Sequence, residues 1–159
     1  LNFLRTADQA LHPTNEKVPH PGLARHSASF MQFREKLAEE AKRVGFVADV
    51  LSRSLNEGFS GGEKKKAEML QAVMLDPAYL ILDEVDSGLD VDVLRVVAET
   101  ALELQKKGKG LLVITHYARL LHYLKPNYVH IMVGGKIVKS GGAELAQEIE
   151  QSGYKNLVV

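Results

Sequence analysis

Two short runs hold the residues able to do chemistry. In Phe59-Ser60-Gly61-Gly62-Glu63 a hydroxyl stands three residues ahead of a carboxylate, with two glycines between them. The S-x-x-E spacing is a capping box, in which Ser60 caps a helix and Glu63 folds back onto the backbone N–H of Ser60. The glycines leave the first-turn N–H groups open to a ligand. With the positive end of the helix dipole and the Ser60 hydroxyl, those groups favour a phosphate. Glu63 would repel it and is assigned to the cap. In Tyr79-Leu80-Ile81-Leu82-Asp83-Glu84 an apolar run behind Pro77 leads into two adjacent carboxylates. The run predicts a short buried parallel strand. Ligands of open parallel sheets sit just beyond the carboxyl ends of the strands, where Asp83 and Glu84 would emerge. Asp83 suits Mg²⁺, and Glu84 suits the orientation or deprotonation of a water for in-line attack on a phosphate. Ser87-Gly88-Leu89-Asp90 then makes a tight turn that caps the next helix.

The elements that must position these groups are legible from periodicity. Val91 to Lys107 is predicted as a helix capped by Asp90 and ended by Gly108, with Leu94, Val97, Ala98, Ala101 and Leu104 on its buried stripe. Leu111 to Thr115 reads as a second buried strand, so Tyr79 to Thr115 is a β-α-β unit with parallel strands and a right-handed crossover. His116 must then emerge at the same sheet edge as Asp83 and Glu84. Upstream, Phe30 to Val44 is predicted as a helix with Ser29 as cap, burying Phe30, Phe33, Leu37, Ala41 and Val44. Leu1 to Ala10 reads as the tail of an apolar helix, and His12 to His26 as an irregular loop rich in proline. The loop's His12, His20 and His26 match no metal-ligand spacing, and none is assigned a metal. Lys64-Lys65-Lys66 reads as a solvated helix face. Downstream, Tyr128 to Val133 and Lys136 to Ser140 flank Gly134-Gly135 as a hairpin, and Ala143 to Ser152 forms a last helix. His122 and His130, inside a helix and a strand, read as structural.

Phe59 to Glu63 resembles the ABC-ATPase signature motif, Leu80 to Glu84 its Walker B strand, and Ser87 to Asp90 its D-loop, in the order and spacing of that family. The resemblance implies an α/β, P-loop NTPase-like fold, with a mostly parallel sheet, flanking helices, a helical subdomain and a C-terminal β-hairpin. It implies that residues from about 1 to 75 form the helical subdomain, and about 76 to 159 the catalytic core. The cofactors implied are ATP and Mg²⁺. Asp83 would bind the metal, and Glu84 and His116, the latter resembling the switch histidine, would be catalytic. Ser60, Gly61, Gly62 and Asp90 would meet nucleotide across a homodimeric sandwich. The wording from Ser54 to Lys65 and from Asp83 to Asp90 is similar to that of the SufC ATPases of SUF iron–sulfur cluster assembly. Transporter ATPases usually have Pro-Thr after the catalytic Glu and Asp after the switch His, where Val85-Asp86 and Tyr117 stand here. Val85 and Lys66-Ala67 depart from the usual SufC wording without removing a catalytic group. SufB/SufD-type scaffolds are the partners this implies, in the cytoplasm, or in a plastid stroma for a photosynthetic eukaryote. The alternatives are a nucleotide-binding subunit of an ABC transporter, or a noncatalytic interaction module if the natural chain is this short.

Composition narrows the classes further. The chain has 159 residues, 20 basic and 20 acidic, and no cysteine. That length suits one domain with a substantial core. A zero formal net charge gives no bulk field for nucleic acid or anionic lipid. Without cysteine there is neither a disulfide nor a thiolate to hold a cluster. No apolar run approaches the roughly 20 residues that span a bilayer. No G-x-x-x-x-G-K-[ST] occurs: Gly108-Lys109 and Gly135-Lys136 are followed by Gly110 and Ile137. Neither Gln9 nor Gln32 has the context of a Q-loop. The expectation is the C-terminal part of an ABC domain that lacks its phosphate cradle and is inactive alone.

Overall fold

The computed structural model describes Leu4, Thr6, Ala7, Ala10, residues 23–46 and residues 58–153, with 23–29, Ala118 and Ser152 described by backbone alone. The predicted loop from His12 lies outside the described residues up to Gly22. The described positions among the first ten residues are helical, as the reading of Leu1 to Ala10 expects.

Helix α1 runs Leu23–Arg43 and α2 Gly61–Leu75. The predicted Ser29 cap is therefore corrected: the helix begins at Leu23, seven residues before the predicted Phe30, and takes in His26. No strong helix breaker follows Leu23 until Gly45, whereas Pro21 and Gly22 stand just before it. Phe33, Leu37, Ala41 and Val44 are buried as the stripe requires, packed with Ala67, Leu70 and Met74 of α2 and with Leu4. Phe30 is only half-buried, with the Arg34 guanidinium 5.8 Å from its ring centroid. At about 1.5–3 kcal/mol for each fully buried large apolar side chain, this stripe holds α1 on α2. The exposed Arg43–Glu103 ion pair and the Lys66 Nζ bond to the Gly45 carbonyl add little beside it.

Strand β1 (Tyr79–Asp83), helix α3 (Val91–Lys106) and strand β2 (Gly110–Ile114) form the predicted β-α-β unit. The strands pair in parallel, Tyr79 opposite Gly110 through to Asp83 opposite Ile114. Gly110 N–H donates to the Ala78 carbonyl and Glu84 N–H to that of Ile114, so even-numbered residues of both strands bond across the pair. Lys109 closes the start of the unit, its Nζ 3.1 Å from the Asp76 carbonyl oxygen and 3.0 Å from the Asp76 carboxylate. On α3 all five residues of the predicted stripe are buried. Leu94, Val97, Ala98 and Ala101 pack with Met69, Leu82, Val85, Leu120 and Leu124, with half-buried Leu80, Leu111 and Val113 lining the same cluster, while Leu104 packs with Ala72 and Val73.

The expectation that both strands are buried is corrected. Among the described residues only one face is covered; on the other, Tyr79, Ile81, Leu112 and Ile114 are 82%, 64%, 54% and 47% exposed. A continuous apolar run encodes burial on two faces, whereas α3 supplies cover for one. Thr115 also lies outside β2, which begins one residue earlier than expected, at Gly110.

Helix α4 (Ala118–Leu124) leads to the antiparallel hairpin of β3 (Val129–Val133) and β4 (Lys136–Gly141). The hairpin strands are shifted slightly from prediction, with Tyr128 outside β3 and Gly141 inside β4. Gly134 and Gly135 have φ of 56° and 77°, the positive pair that a two-residue hairpin turn demands. Helix α5 (Glu144–Ser152) starts one residue later than predicted and packs Leu145 and Ala146 against Val129 and Ile131.

Candidate functional site

The parallel register sets one group of predicted residues at the carboxyl edge of the sheet. Asp83 ends β1, and its side chain shares the uncovered face with Ile81 and Ile114, because alternate residues along a strand point the same way. It is exposed, and among the described residues it makes no hydrogen bond or ion pair. Glu84 follows with φ 46°, a left-handed conformation that is uncommon for a residue with a side chain. The chain leaves the strand here: Glu84 N–H still bonds to the Ile114 carbonyl at 2.8 Å, and Ser87 N–H closes a turn onto the Glu84 carbonyl at 3.2 Å. His116 comes off β2 beside it, with Nδ1 3.4 Å from Glu84 Oε1. Its ring packs on that of Tyr117, centroids 3.9 Å apart.

A second group forms around two helix starts. The capping box is present in full: Glu63 N–H donates to Ser60 Oγ at 3.2 Å, and Ser60 N–H to Glu63 Oε2 at 2.8 Å. Asp90 caps α3, its Oδ1 accepting from Val93 N–H at 2.8 Å. The two starts touch, since a Cβ on Gly62 would lie 3.1 Å from Val93 Cγ2, whereas one on Gly61 would meet nothing within 4 Å. Gly62 thus has a packing role beside any ligand role, and Gly61 fronts open space.

The donor set can be tested for ATP and Mg²⁺. Among the described residues no cluster of three or more His, Cys, Asp or Glu could cage a metal. A lone exposed carboxylate fits the way Mg²⁺ is usually held, by one or two carboxylates with substrate phosphates and water. Lys64 to Lys66, read as a solvated helix face, lie in α2, where Lys65 pairs with Glu68 at 2.9 Å and Lys66 reaches the Gly45 carbonyl. His122 and His130 have side-chain partners elsewhere in the fold, Glu150 Oε2 at 2.7 Å and Ser140 Oγ at 2.8 Å.

Two residues escaped the sequence reading. Asp86 is turned inward and is buried, with Oδ2 accepting from Thr115 Oγ1 at 2.6 Å. A bond between positions 29 residues apart has no local signal; only a carboxylate inside a tight turn and a hydroxyl directly after a strand hint at it.

No protein-family model matches the chain. Among curated proteins it is 44% identical over 153 residues to "Vegetative protein 296" of Bacillus subtilis (strain 168), covering 96% of this chain and 55% of that protein. It is 48% identical over 154 residues to a "Probable ATP-dependent transporter" of Synechocystis sp., covering 97% and 57%. With a "Probable ABC transporter ATP-binding protein" of Streptococcus pyogenes serotype M3 it shares 48% identity over 155 residues, covering 98% and 57%. The chain spans just over half the length of these relatives. A solved ATP-binding cassette of an ABC transporter in its ADP conformation aligns with a TM-score of 0.60 at 21% identity, over 90% of this chain and 51% of that one. A dimeric, post-hydrolysis cassette bound to ADP and Pi aligns with a TM-score of 0.62 at 16% identity, over 88% and 56%. At such identities the likeness is one of fold.

Proposed function

We infer, from a fold that is part of an ATP-binding cassette and from homologues that are ABC-type ATP-binding proteins, that the chain is the C-terminal part of an ATP-hydrolysing subunit. The observation that carries the reading is the Glu84 carboxylate 3.4 Å from the His116 imidazole, directly after Asp83 at the carboxyl edge of a parallel pair. In this reading Asp83 holds Mg²⁺, which supplies charge neutralisation at the phosphates. Glu84 orients the attacking water and takes up its proton, and His116 donates a hydrogen bond toward the terminal phosphate. Ser60, Gly61 and Gly62 offer N–H and O–H groups to nucleotide held by a second subunit, with Asp90 at the adjoining helix start. The dimeric state of the ADP- and Pi-bound cassette supports that arrangement. The division near residue 75 into helical subdomain and catalytic core belongs to the same proposal.

The test uses the complete protein. Glu84→Gln keeps size and polarity but removes the base, so ATP binding should persist while turnover falls about 10²-fold or more. Asp83→Asn should weaken the Mg²⁺ dependence. Near wild-type turnover in Glu84→Gln would move the catalytic role elsewhere. The present chain carries no Walker A sequence, and alone it should release no phosphate from ATP.

What the hydrolysis drives has two readings. The names of the relatives from Synechocystis and S. pyogenes favour transport, with a membrane permease as partner. Among the described residues no helix is long and apolar enough to cross a membrane, so a permease would be a separate chain or segment. One observation favours SUF assembly with SufB/SufD-type scaffolds. Asp86, where transporter ATPases usually have Pro-Thr after the glutamate, is a buried, bonded part of the site. Affinity purification from the native host separates the two: permease subunits without scaffolds would leave only the transporter reading.

A further inference from the structure

We propose that Asp86 and Thr115 are positioning residues that hold His116 against Glu84, an inference that rests on the ATPase reading above. The turn after β1 faces solvent at Glu84, Ser87 and Gly88, yet Asp86 within it is only 7% exposed. Burying a carboxylate is costly unless it is bonded. Asp86 Oδ2 accepts from Thr115 Oγ1 at 2.6 Å, the short distance of a hydroxyl bonded to an ionised acceptor. The Tyr117 carbonyl, 3.3 Å away, is the longer of the two acceptors for the hydroxyl proton, and Thr115 Oγ1 itself accepts from Tyr117 N–H at 2.9 Å. His116 lies between those two residues, so the hydroxyl brackets its backbone on both sides. Val85, buried in the core beside Leu82 and Leu94, pins the peptide ahead of Asp86. The loop bearing Glu84 and the loop bearing His116 are therefore joined beneath the surface.

That buried link carries more of the geometry than the contact it aligns. Glu84 and His116 are both exposed, and an exposed pair contributes little by itself. Asp86 Oδ1 is buried without a hydrogen-bond partner among the described residues. Loss of the Thr115 hydroxyl would thus leave the whole carboxylate unpaired and favour its release from the turn, taking the bracket around His116 with it.

The experiment is a mutant cycle on ATP turnover by the complete protein. Thr115→Val, which keeps shape but loses the hydroxyl, should lower kcat about 10–100-fold with KM for ATP changed less than about 2-fold. Thr115→Ser, which restores the hydroxyl, should recover most of that loss. In a His116→Ala background, Thr115→Val should cost no more than about 2-fold, because the residue it positions is already gone. Equal losses in both backgrounds, a change mainly in KM, or no loss at all would overturn the proposal. Glu84→Gln is measured alongside. Absence of ATP turnover in the unsubstituted protein sinks the ATPase reading, full turnover in Glu84→Gln moves the base elsewhere and removes the premise of this inference, and lost turnover there with an unaffected Thr115→Val sinks only this inference. Should melting show Thr115→Val unfolded at the assay temperature, Asp86→Asn is read in the same cycle. It keeps an acceptor but removes the charge, and its several-fold loss of kcat should vanish in the His116→Ala background; an undiminished loss there overturns the proposal.

Discussion

Among the residues of the site, Glu84 is the one whose backbone is at odds with its side chain. Asp76 and Lys125 share its positive φ but do so as helix C-caps, where the left-handed conformation is ordinary. At Glu84 it costs on the order of 1–3 kcal/mol. Glu84→Gly should accordingly leave thermal stability unchanged or raised while abolishing turnover, and Glu84→Val should lower it by about 1 kcal/mol or more. A clear loss of stability in Glu84→Gly, followed by thermal denaturation, would remove the case for strain. The two glycines of the capping box divide in a similar way. Gly61→Ala meets open space and should stabilise α2 by up to about 1 kcal/mol while weakening nucleotide engagement across a dimer. Gly62→Ala must push Val93 aside, and a Val93→Ala change should offset its cost. The capping box was legible because its partners are three residues apart. The inward turn of Asp86 was not, because its partner lies on another strand end.

Helical periodicity was a sound guide along α3, and least sound at boundaries. The α3 stripe is buried at every predicted position, yet the start of α1 was placed at Ser29, a good cap in sequence that the backbone passes through as helix. The start of α5 shows a different device. Ala143 provides no side-chain cap, and Glu144 Oε1 accepts instead from Gly142 N–H at 2.7 Å. Bonds from its own backbone and from that of Gly142 hold its carboxyl below the usual carboxylate range. Since the folded value is the lower one, the stabilisation is complete above the unfolded value of about 4.3 and is lost as pH falls through the folded one. Glu144→Gln should therefore melt below the wild type at neutral pH, with the gap closing as acidification carries the pH below the carboxyl's unfolded value of about 4.3. A gap that widens in acid would reverse the sign of the argument.

For the molecule as a whole, the uncovered sheet face is the dominant feature. The apolar run in β1 was read correctly as strand and as parallel, but its burial depended on cover that α3 gives to one face only. With Ile81 and Leu112 in solvent and both strands having an edge unpaired among the described residues, the chain alone should self-associate. Sedimentation across a concentration series should show this, and Ile81→Lys with Leu112→Lys should reduce it without loss of helical signal; a monomer at all concentrations would refute it. The same register also imposes a rhythm on amide hydrogen exchange. Leu80, Leu82, Leu112 and Ile114 direct their N–H groups across the pair, whereas those of Tyr79, Ile81 and Asp83 point to one outer edge and those of Leu111 and Val113 to the other. In the monomeric lysine variant, slow and fast amides should therefore alternate along each strand. In the complete protein, whichever of those two fast sets becomes slow identifies the edge on which the sheet continues.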